Sequence, residues 1–569
     1  METIKKLESL RKEYSKQTVR IVDGLLSKPK EVLKKIELYY NSTYESGSKN
    51  KLGLDKPFYN IVKFRVNVAT TATDLDTKDI QITTDDPENY AKVWLFAREV
   101  DKWMKESNFA LFLNKLGYTR AKYGSAFTKK TMVDGKLELE VCNIHNLEFD
   151  ATDFSKYTPI FECHYMTPAE LYEKMDVWDN VEEVLTYKKM AMSAKNGEYE
   201  RGDIKVYELC GVIDGEIIGE DGYPFVHMFY ACNGKDDGVV LFKEVIKGNI
   251  YKMLKWDNID GRTLGVGIVE DGFEAQRWTN DTIQRQKSML DIASKIVFQT
   301  DDSTLGNNVL VELENGDVIK TAEGKTFRQV NNVPSSMPVF TEFINQWDKQ
   351  LERVTSTFNA FTGETMPSGT PYRAVATLNQ AAGSLYAYRM EETGIFLQEI
   401  FEDWIFPYIE KKLTKAHILA EDFSTDELAM IDNGFARMVA NEKAKEALLS
   451  DMPVTSDLYG MVFDEALKAV NNGTQRRFLD IPDGFFKNMK AKVTVLITGE
   501  NKNKGVVLES LAKVLGDVAA NPMLLQNPTT KKIFSRIVEM SDIGISPAEL
   551  ETMAVSAPQP EQMPQPAMQ

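Results

Sequence analysis

The sequence predicts an α+β protein, predominantly helical, and three observations carry that reading. Apolar residues recur at helical spacing over long stretches, above all within 88–123, 261–297 and 373–412. From Ala126 to about Ile250 the texture changes to alternating segments punctuated by Asp-Gly or Gly, the pattern of β-hairpins. A buried strand, MKAKVTVLITG (489–499), then returns within an otherwise helical C-terminal third.

Taken in order, residues 2–26 alternate charge with leucine or isoleucine at helical spacing, and 43–57 (TYESGSKNKLGLDKP) reads as a loop. The stretch FYNIVKFRVNVATTATDLDTKDIQI mixes a helix with a strand end. Within 88–123, Tyr90, Val93, Leu95, Phe96, Val100, Trp103 and Met104 form one apolar stripe. AFTKKTMV, KLELEVCNI, DIKVYELCGVI and GEIIGEDG supply the hairpin texture. One helical insertion, 167–192, opens with Thr-Pro and an acidic first turn, as a capped helix should.

The segment GRTLGVGIVEDGFEAQRWTNDTIQRQKSMLDIASKIV (261–297) has glycines up to Gly272 and then a helix of roughly 25 residues. Between Glu274 and Ser288 only Ala275, Trp278 and Ile283 are apolar. Such a helix cannot bury a broad apolar stripe in its own subunit, so it is either solvated or packed on polar neighbours. A β-like segment with an Asn315-Gly316 turn follows at 307–327, then a second helix at 339–358. The Gly- and Thr-rich FTGETMPSGTPYRA (361–374) leads into the longest helical pattern, 373–412, roughly 60 Å if straight. Its first half carries small residues (Ala374, Ala376, Ala381, Ala382, Gly383, Ala387). Its second half is apolar and aromatic (Ile395, Phe396, Ile400, Phe401, Trp404, Ile405, Tyr408), and Pro407 should bend or shorten its end. Residues 425–490 read as helices with loops and 503–551 as a helical terminal module; the Pro/Gln-rich tail from 552 reads as disordered.

Length, charge and cysteine use narrow the function classes. At 569 residues the chain should hold about three or four domains. It carries 85 acidic against 68 basic residues, net −17. A tight duplex-DNA binder needs cationic groups that displace counterions, so an acidic chain fits poorly, whereas one that lets DNA pass without holding it does not. Four cysteines (Cys142, Cys163, Cys210, Cys232) give no disulfide framework. The N-terminal METIKKLESLRKEYSKQ has no apolar core, so no secretory leader is expected, and no membrane span or membrane partner is expected either.

No catalytic constellation emerges, and no enzyme activity or cofactor is expected. A phosphate-binding loop needs a lysine at the end of its glycine-bounded stretch, but Thr370-Pro371 follow Gly369. Gly261-x-x-x-Gly265-x-Gly267 departs from the dinucleotide fingerprint and reads as backbone turns. Cys142-x-x-His145, Cys163-His164, Cys210, His227 and Cys232 share one β-rich region. Adjacent strand residues point to opposite faces, however, and the reading is ordinary buried cysteines with no metal. Asp301-Asp302 and Glu312/Glu314 could be drawn as magnesium ligands, but acidic residues on a hairpin more often form a solvated or partner-facing surface.

The order of parts resembles the portal proteins of tailed bacteriophages, of the podovirus type. Residues 261–412 are similar to that family's core of glycine-led stem helix, small β-containing clip, second stem helix, tunnel loop and long backbone helix. TFNAFTGETMPSGTPYRAVATLNQAAGS resembles its loop-then-helix segment. TRAKYGSAFTKK followed by CNIHNLEFDATDF resembles its wing, and VTVLITGENKNKGVVLESLAKVLGDVAANPMLLQNP resembles the ending that leads into a helical crown.

The resemblance implies N-terminal helices and wing over 1–260, a first stem helix at 261–297, a clip at 298–338 and a second stem helix at 339–358. It further implies a tunnel loop at 359–372, a backbone helix at 373–412, a wing return at 413–502, a crown at 503–551 and a tail at 552–569. The subunits would form a ring, usually of twelve, at one capsid vertex of the virion, assembled in the bacterial cytoplasm. Double-stranded DNA would pass through without sequence-specific contacts. Partners would be the major capsid protein, the large terminase subunit with its separate ATPase, and head–tail adaptor or tail proteins, with scaffolding and ejection proteins as further possibilities. The tunnel loop would present Asn359, Phe361, Glu364, Thr365, Met366, Ser368, Thr370 and Arg373. Glu274, Asp281, Arg285 and Lys287 would be the channel-facing stem residues, and Asp301, Asp302, Glu312, Glu314 and Asp317 the clip's docking surface. An acidic ring would repel phosphate and discourage sticking. Two other classes stay open: a tail or capsid component of different symmetry, and, behind it, a metal-dependent nucleic-acid enzyme.

Overall fold

A computed structural model describes residues 2–495 except 23–24, 50–52, 54, 85–88, 194–202, 233–237, 295–296, 302–320, 331–336, 358–371, 414–416, 420–424, 451, 471–477, 481–484, 487–488 and 490. The first helices are α1 (Glu2–Lys16), α2 (Pro29–Tyr40), α3 (Val62–Ala72), α4 (Tyr90–Glu106) and α5 (Phe109–Tyr123). Then come α6 (Pro168–Glu173), α7 (Val181–Ser193), α8 (Gly215–Ile218), α9 (Ile268–Asp271) and α10 (Phe273–Ala293). The last are α11 (Met337–Thr355), α12 (Tyr372–Ile400), α13 (Phe406–Leu413), α14 (Thr425–Leu449) and α15 (Ser456–Val470).

Strands β1 (Val19–Val22) and β2 (Leu25–Ser27) form a small ribbon, and β3 is Ile80–Thr83. The main strands are β4 (Ser125–Val133), β5 (Lys136–Val141), β6 (Leu147–Phe149), β7 (Ile160–Met166), β8 (Ile204–Val212), β9 (Phe225–Cys232), β10 (Gly238–Val245) and β11 (Tyr251–Lys255). The remainder are β12 (Val297–Thr300), β13 (Phe327–Val330), β14 (His417–Leu419), β15 (Phe478–Asp480) and β16 (Lys492–Val495). Every strand pairing among the described residues is antiparallel, so the protein is α+β with helices in the majority.

The chain divides into two compact units, Met1–Leu75 with Leu111–Arg389, and Asp76–Ala110 with Met390–Gln569. The 1–260 segment, expected as one region, therefore contributes to both. In the first unit, β10-β9-β8-β7-β6 form a five-stranded sheet and β11-β4-β5 a three-stranded one. The alternation of β8 and β9 directs one set of side chains at α1, whose Ile4 and Leu7 pack with Phe161, Leu209, Met228 and Tyr230. A second cluster joins Leu171, Val181 and Val184 of α6 and α7 to Ile204, Val206 and Leu241. The insertion expected as a single helix is two, because Asn180 turns into the left-handed region (φ 56°) just before α7. Thr167 and Glu170 close a reciprocal capping box at the start of α6. GEIIGEDG is likewise not a strand. Asp214 caps its first turn and Gly219 (φ 75°) ends it, making the one-turn helix α8.

The glycines ahead of α10 have a steric reason. Gly124, between α5 and β4, has φ +77°, and a Cβ there would lie 2.4 Å from the Gly265 carbonyl oxygen and 2.5 Å from the Gly267 nitrogen. A Cβ on Gly265 or on Gly267 would come within 2.4 Å of Gly124 in return. Two backbone segments thus meet at three glycines where no side chain fits, and the approach is locked by Trp256 N–H donating to the Gly124 carbonyl (2.8 Å) and Gly265 N–H to Ser125 Oγ (2.8 Å).

The second unit is built on aromatic packing. The stripe expected on α4 is buried at Val93, Leu95, Phe96, Val100, Trp103 and Met104. Phe96 meets Phe406 (5.2 Å between centroids) and Phe486 (5.8 Å), while Phe109 meets Phe401 (5.8 Å). Trp404 and Ile405 are buried beside them. Pro407 does not end the long helix. A π-helical turn, Phe401–Ile405, widens the backbone just before it, and α13 continues to Leu413. The late strand is β16, which pairs with β3 through Lys492↔Thr83 and Val495↔Ile80, inside this unit. The crown and tail segments, 503–551 and 552–569, lie outside the described residues. Among the described residues no helix is long and apolar enough to cross a membrane.

Gly124→Ala should cost about 3 kcal/mol or more, since the added methyl meets backbone on both sides and the left-handed φ disfavours it. Denaturant unfolding monitored by tryptophan fluorescence checks this, and a change under 1 kcal/mol would mean that the two backbone segments separate without penalty.

Candidate channel helices and their anchoring

Helix α10 buries polar rather than apolar groups. Ala275, Gln276, Thr279, Asn280 and Thr282 are its buried positions up to Thr282. Gln276 Oε1 accepts the backbone N–H of Ile61 (2.8 Å) and Val62 (3.3 Å), and its Nε2 donates to the Tyr59 carbonyl (2.6 Å). Asn280 Oδ1 accepts the Tyr59 N–H (3.0 Å). The first amides of α3, which have no partner within their own helix, are satisfied from α10. The polarity that denies α10 a broad apolar stripe is therefore used inward, against backbone.

The chain runs from α10 into β12, returns along β13 and enters α11, with Val297 paired to Val330 and Thr300 to Phe327. α10 packs on α11, and Trp278 stacks parallel to Trp347 with centroids 6.4 Å apart and planes 6° apart. Of the stem residues singled out from sequence, Glu274, Asp281 and Arg285 are exposed and share one side of α10 at helical spacing. Asp281 and Arg285 line an open hollow of about 470 Å³ together with Gln284, Ser288 and Met289. Lys287 is turned elsewhere, its Nζ donating to the Asp55 carbonyl at 3.4 Å.

The segment expected as tunnel loop starts from a rigid base. α11 ends at Thr355, Ser356 adopts φ 56°, and Thr357 is fully buried. The buried guanidinium of Arg65 donates to the Thr357 carbonyl (2.7 Å) and to Asp348 Oδ1 (3.0 Å). Thr355 and Thr357 hydroxyls lie 2.8 Å apart, and Tyr386 of α12 donates to the Thr355 carbonyl (3.4 Å). Asn359, Phe361, Glu364, Thr365, Met366, Ser368 and Thr370 lie outside the described residues, and Arg373 is placed in the first turn of α12. Of the docking residues, Asp301 closes the β12–β13 end by accepting from Thr326 Oγ1 (2.9 Å), while Asp302, Glu312, Glu314 and Asp317 lie outside the described residues.

Of the histidines and cysteines weighed as metal ligands, His164 and His227 meet at one carboxylate, and among the described residues no cysteine joins a ligand cluster. Among the described residues the one trio able to share an ion is Glu162, His164 and Glu208, with ligand atoms within 4.8 Å of one another. Lys129 from β4 already holds the place of a cation there, its Nζ 2.6 Å from Glu162 Oε2 and 2.9 Å from Glu208 Oε2. His164 and His227 each place Nε2 on one oxygen of Glu208 (2.7 and 2.8 Å), and Tyr251 donates to Glu162 (2.8 Å). A carboxylate can only accept, so both Nε2 atoms carry protons. Burial alone would raise the Glu208 pKa, but the two histidine hydrogen bonds and the Lys129 charge outweigh it and hold the carboxyl well below its ordinary range. Sequence reasoning missed Glu162 and Glu208. The available signal was a single acid inside an otherwise apolar strand, FEC and YELC. The thiols are ordinary: burial pushes Cys142 up strongly and Cys210 to about 12.

A half-buried acid sits at the root of α10. Asp271 is pushed up to about 7, first by burial and then by the carboxylates of Asp257 and Glu270, against the opposing charge of Arg389. Arg389 donates to Asp257 and to the Trp256 carbonyl, and Arg262 holds Glu270 through two bonds of 2.8 and 2.7 Å. Asp271 is thereby left with two acidic neighbours whose cations are engaged.

No protein-family model matches the chain, and no curated protein matches it either.

Lys129→Met should lower stability at pH 7 by about 3–5 kcal/mol, because Glu162 and Glu208 stay buried without their cation. The deficit should shrink below about pH 4 as those carboxyls take up protons. Equal losses at pH 7 and pH 4 would contradict the charge account. For Asp271, a folded pKa raised above the unfolded value contributes stability that is full below about pH 4 and lost as pH rises through about 7. Asp271→Asn should therefore be the more stable protein at pH 8, on the order of 1 kcal/mol, and show no advantage at pH 4. Thermal melts at the two pH values measure the difference.

Proposed function

We propose that this chain is the portal subunit of a tailed bacteriophage, of the podovirus type. In this reading it forms a ring of about twelve copies at one capsid vertex, through which double-stranded DNA enters and leaves. It is a structural protein without catalytic activity, assembled in the bacterial cytoplasm and carried in the virion. The large terminase subunit docks during packaging, head–tail adaptor or tail proteins dock afterwards, and capsid protein surrounds the ring.

One observation carries the reading. The chain runs from a helix into an antiparallel strand pair, back into a second helix packed on the first, through the short segment 358–371, and into the 29-residue helix α12. Three features support it. α10 spends its polar groups on backbone inside its own unit and leaves Glu274, Asp281 and Arg285 outward, as a helix bordering water and neighbouring copies would. The base of 358–371 is fixed by Arg65, Ser356 and Thr357, as suits a loop that must hold its place while DNA moves past it. The chain's net charge of −17 suits a passage in which phosphate must not be retained.

Negative-stain images of the purified protein should show rings with an axial hole about as wide as a DNA duplex. Filaments, or closed particles without a hole, would favour a different virion component. Deleting 365–369 should leave rings intact and impair DNA packaging or retention, and full-length packaging by that variant would contradict the tunnel role. Magnesium-dependent nuclease activity lost on changing Asp301 or Glu312 would favour the enzyme reading instead.

A further inference from the structure

Helix α15 is more apolar than its surroundings account for. Leu458, Tyr459, Met461, Val462, Phe463 and Leu467 stand on it, yet Ala466 is the one buried residue among those of α15 that are described. α14, on which it packs, offers small side chains at helical spacing, Ala440, Ala444 and Ala447. These alanines, with Met452 and Val454 of the turn and Leu458 and Val462 of α15, line a groove of about 330 Å³ between the two helices. Met452 is 58% exposed and Leu458 42%. Lys443, Glu446 and Ser450 are the groove's exposed polar members, and Lys443 pairs with Glu446 at 3.1 Å, so the groove carries no net charge. Tyr459 Oη donates to Asn441 Oδ1 (2.9 Å) and ties the two helices together beside it. An apolar groove of this kind takes a third helix through side chains three or four residues apart.

The same chain supplies a matching surface. Residues 505–518, GVVLESLAKVLGDV, lie outside the described residues. Their sequence sets Val507, Leu511, Val514, Leu515 and Val518 on one side at helical spacing, with Glu509, Lys513 and Asp517 on the other. The segment is also within reach. β16 ends at Val495 beside β3, β3 packs on α4, and α4 packs on α14, where a Cβ on Gly434 would lie 3.1 Å from that of Ala91. From Gly434 to Ala444 is about 15 Å along the helix. The roughly ten residues from 496 to 505 span up to about 33 Å when extended. We propose that 505–518 seats its apolar side in the α14–α15 groove of its own chain, the three alanines leaving room for its leucines and valines. So short a tether holds the segment at a high effective concentration, which favours it over a free competitor. The contact lies within one chain and does not depend on the portal reading.

Thiol labelling of the full chain tests this. Leu458→Cys should react about tenfold or more slowly in the otherwise native chain than when Leu511→Glu is added, while Lys513→Glu, on the polar side, should leave the slow rate unchanged. The chain without Leu458→Cys gives the background, since Cys142 and Cys210 are buried and Cys163 and Cys232 partly so. A synthetic peptide of residues 503–520, added in excess, should restore slow labelling to the Leu511→Glu chain. From the groove side, Ala444→Glu should speed trypsin cleavage after Lys513 by a similar factor with the far-UV circular dichroism unchanged, which separates release of the segment from unfolding. Fast labelling of Leu458→Cys in the otherwise native chain would overturn the proposal, because the groove would stand open. Slow labelling that Leu511→Glu leaves unchanged would overturn it too: if it is lost on dilution the cover is a second copy, and if it persists the cover is another part of the chain. Rings imaged in any of these cases would leave the portal reading standing.

Discussion

The structure of the first unit depends on how Gln276 is used. A helix with so few apolar residues gains little by burial, yet α10 is held in place because its amide side chains complete the unpaired backbone of 59–62. Hydrogen bonds of this kind are directional, and leaving those groups unpaired inside the protein costs about 1–3 kcal/mol for each. They set the rotation of α10 about its own axis more tightly than an apolar stripe could. Once that rotation is set, the outward side is determined too: Glu274, Asp281 and Arg285 face away from the unit, and Trp278 meets Trp347.

From α10 the same logic extends to the base of 358–371. α3, capped by Gln276, carries Arg65, and Arg65 reaches the Thr357 carbonyl at the end of α11. One helix is thus positioned by the polar face of another and in turn fixes where the following segment begins. The three-glycine contact at Gly124, Gly265 and Gly267 sets the root of this arrangement from the other side, by bringing the start of β4 against the turn that feeds α9 and α10. The proposed channel thus draws on rigid parts: two packed helices, a buried arginine, and backbones too close to admit a side chain.

Much of this was legible in sequence, for physical reasons. The helices at 90–123, 273–293, 337–355 and 372–413 follow from apolar or small residues at helical spacing, and the Asp134-Gly135 hairpin follows from a dipeptide that tolerates positive φ. The buried stripe of α4 was readable residue by residue. Pairings between distant segments were not. Nothing local in Glu162 or Glu208 says that Lys129 will neutralise both, and nothing in Gly265 names Gly124 as its neighbour. The split of the 167–192 helix turned on one left-handed asparagine, and the π turn at Phe401–Ile405, within a helix expected to run to 412, is not encoded by propensity. Among the proposed site residues, the stem positions could be followed into the structure. Lys287 places its ammonium group on the Asp55 carbonyl.

The central claim is that this chain is one subunit of a closed ring, and native mass spectrometry of the purified protein tests it most directly. The account predicts one dominant species near twelve times the chain mass, persisting at low-micromolar concentration. A protein that remains monomeric or stops at a dimer across that range would contradict it.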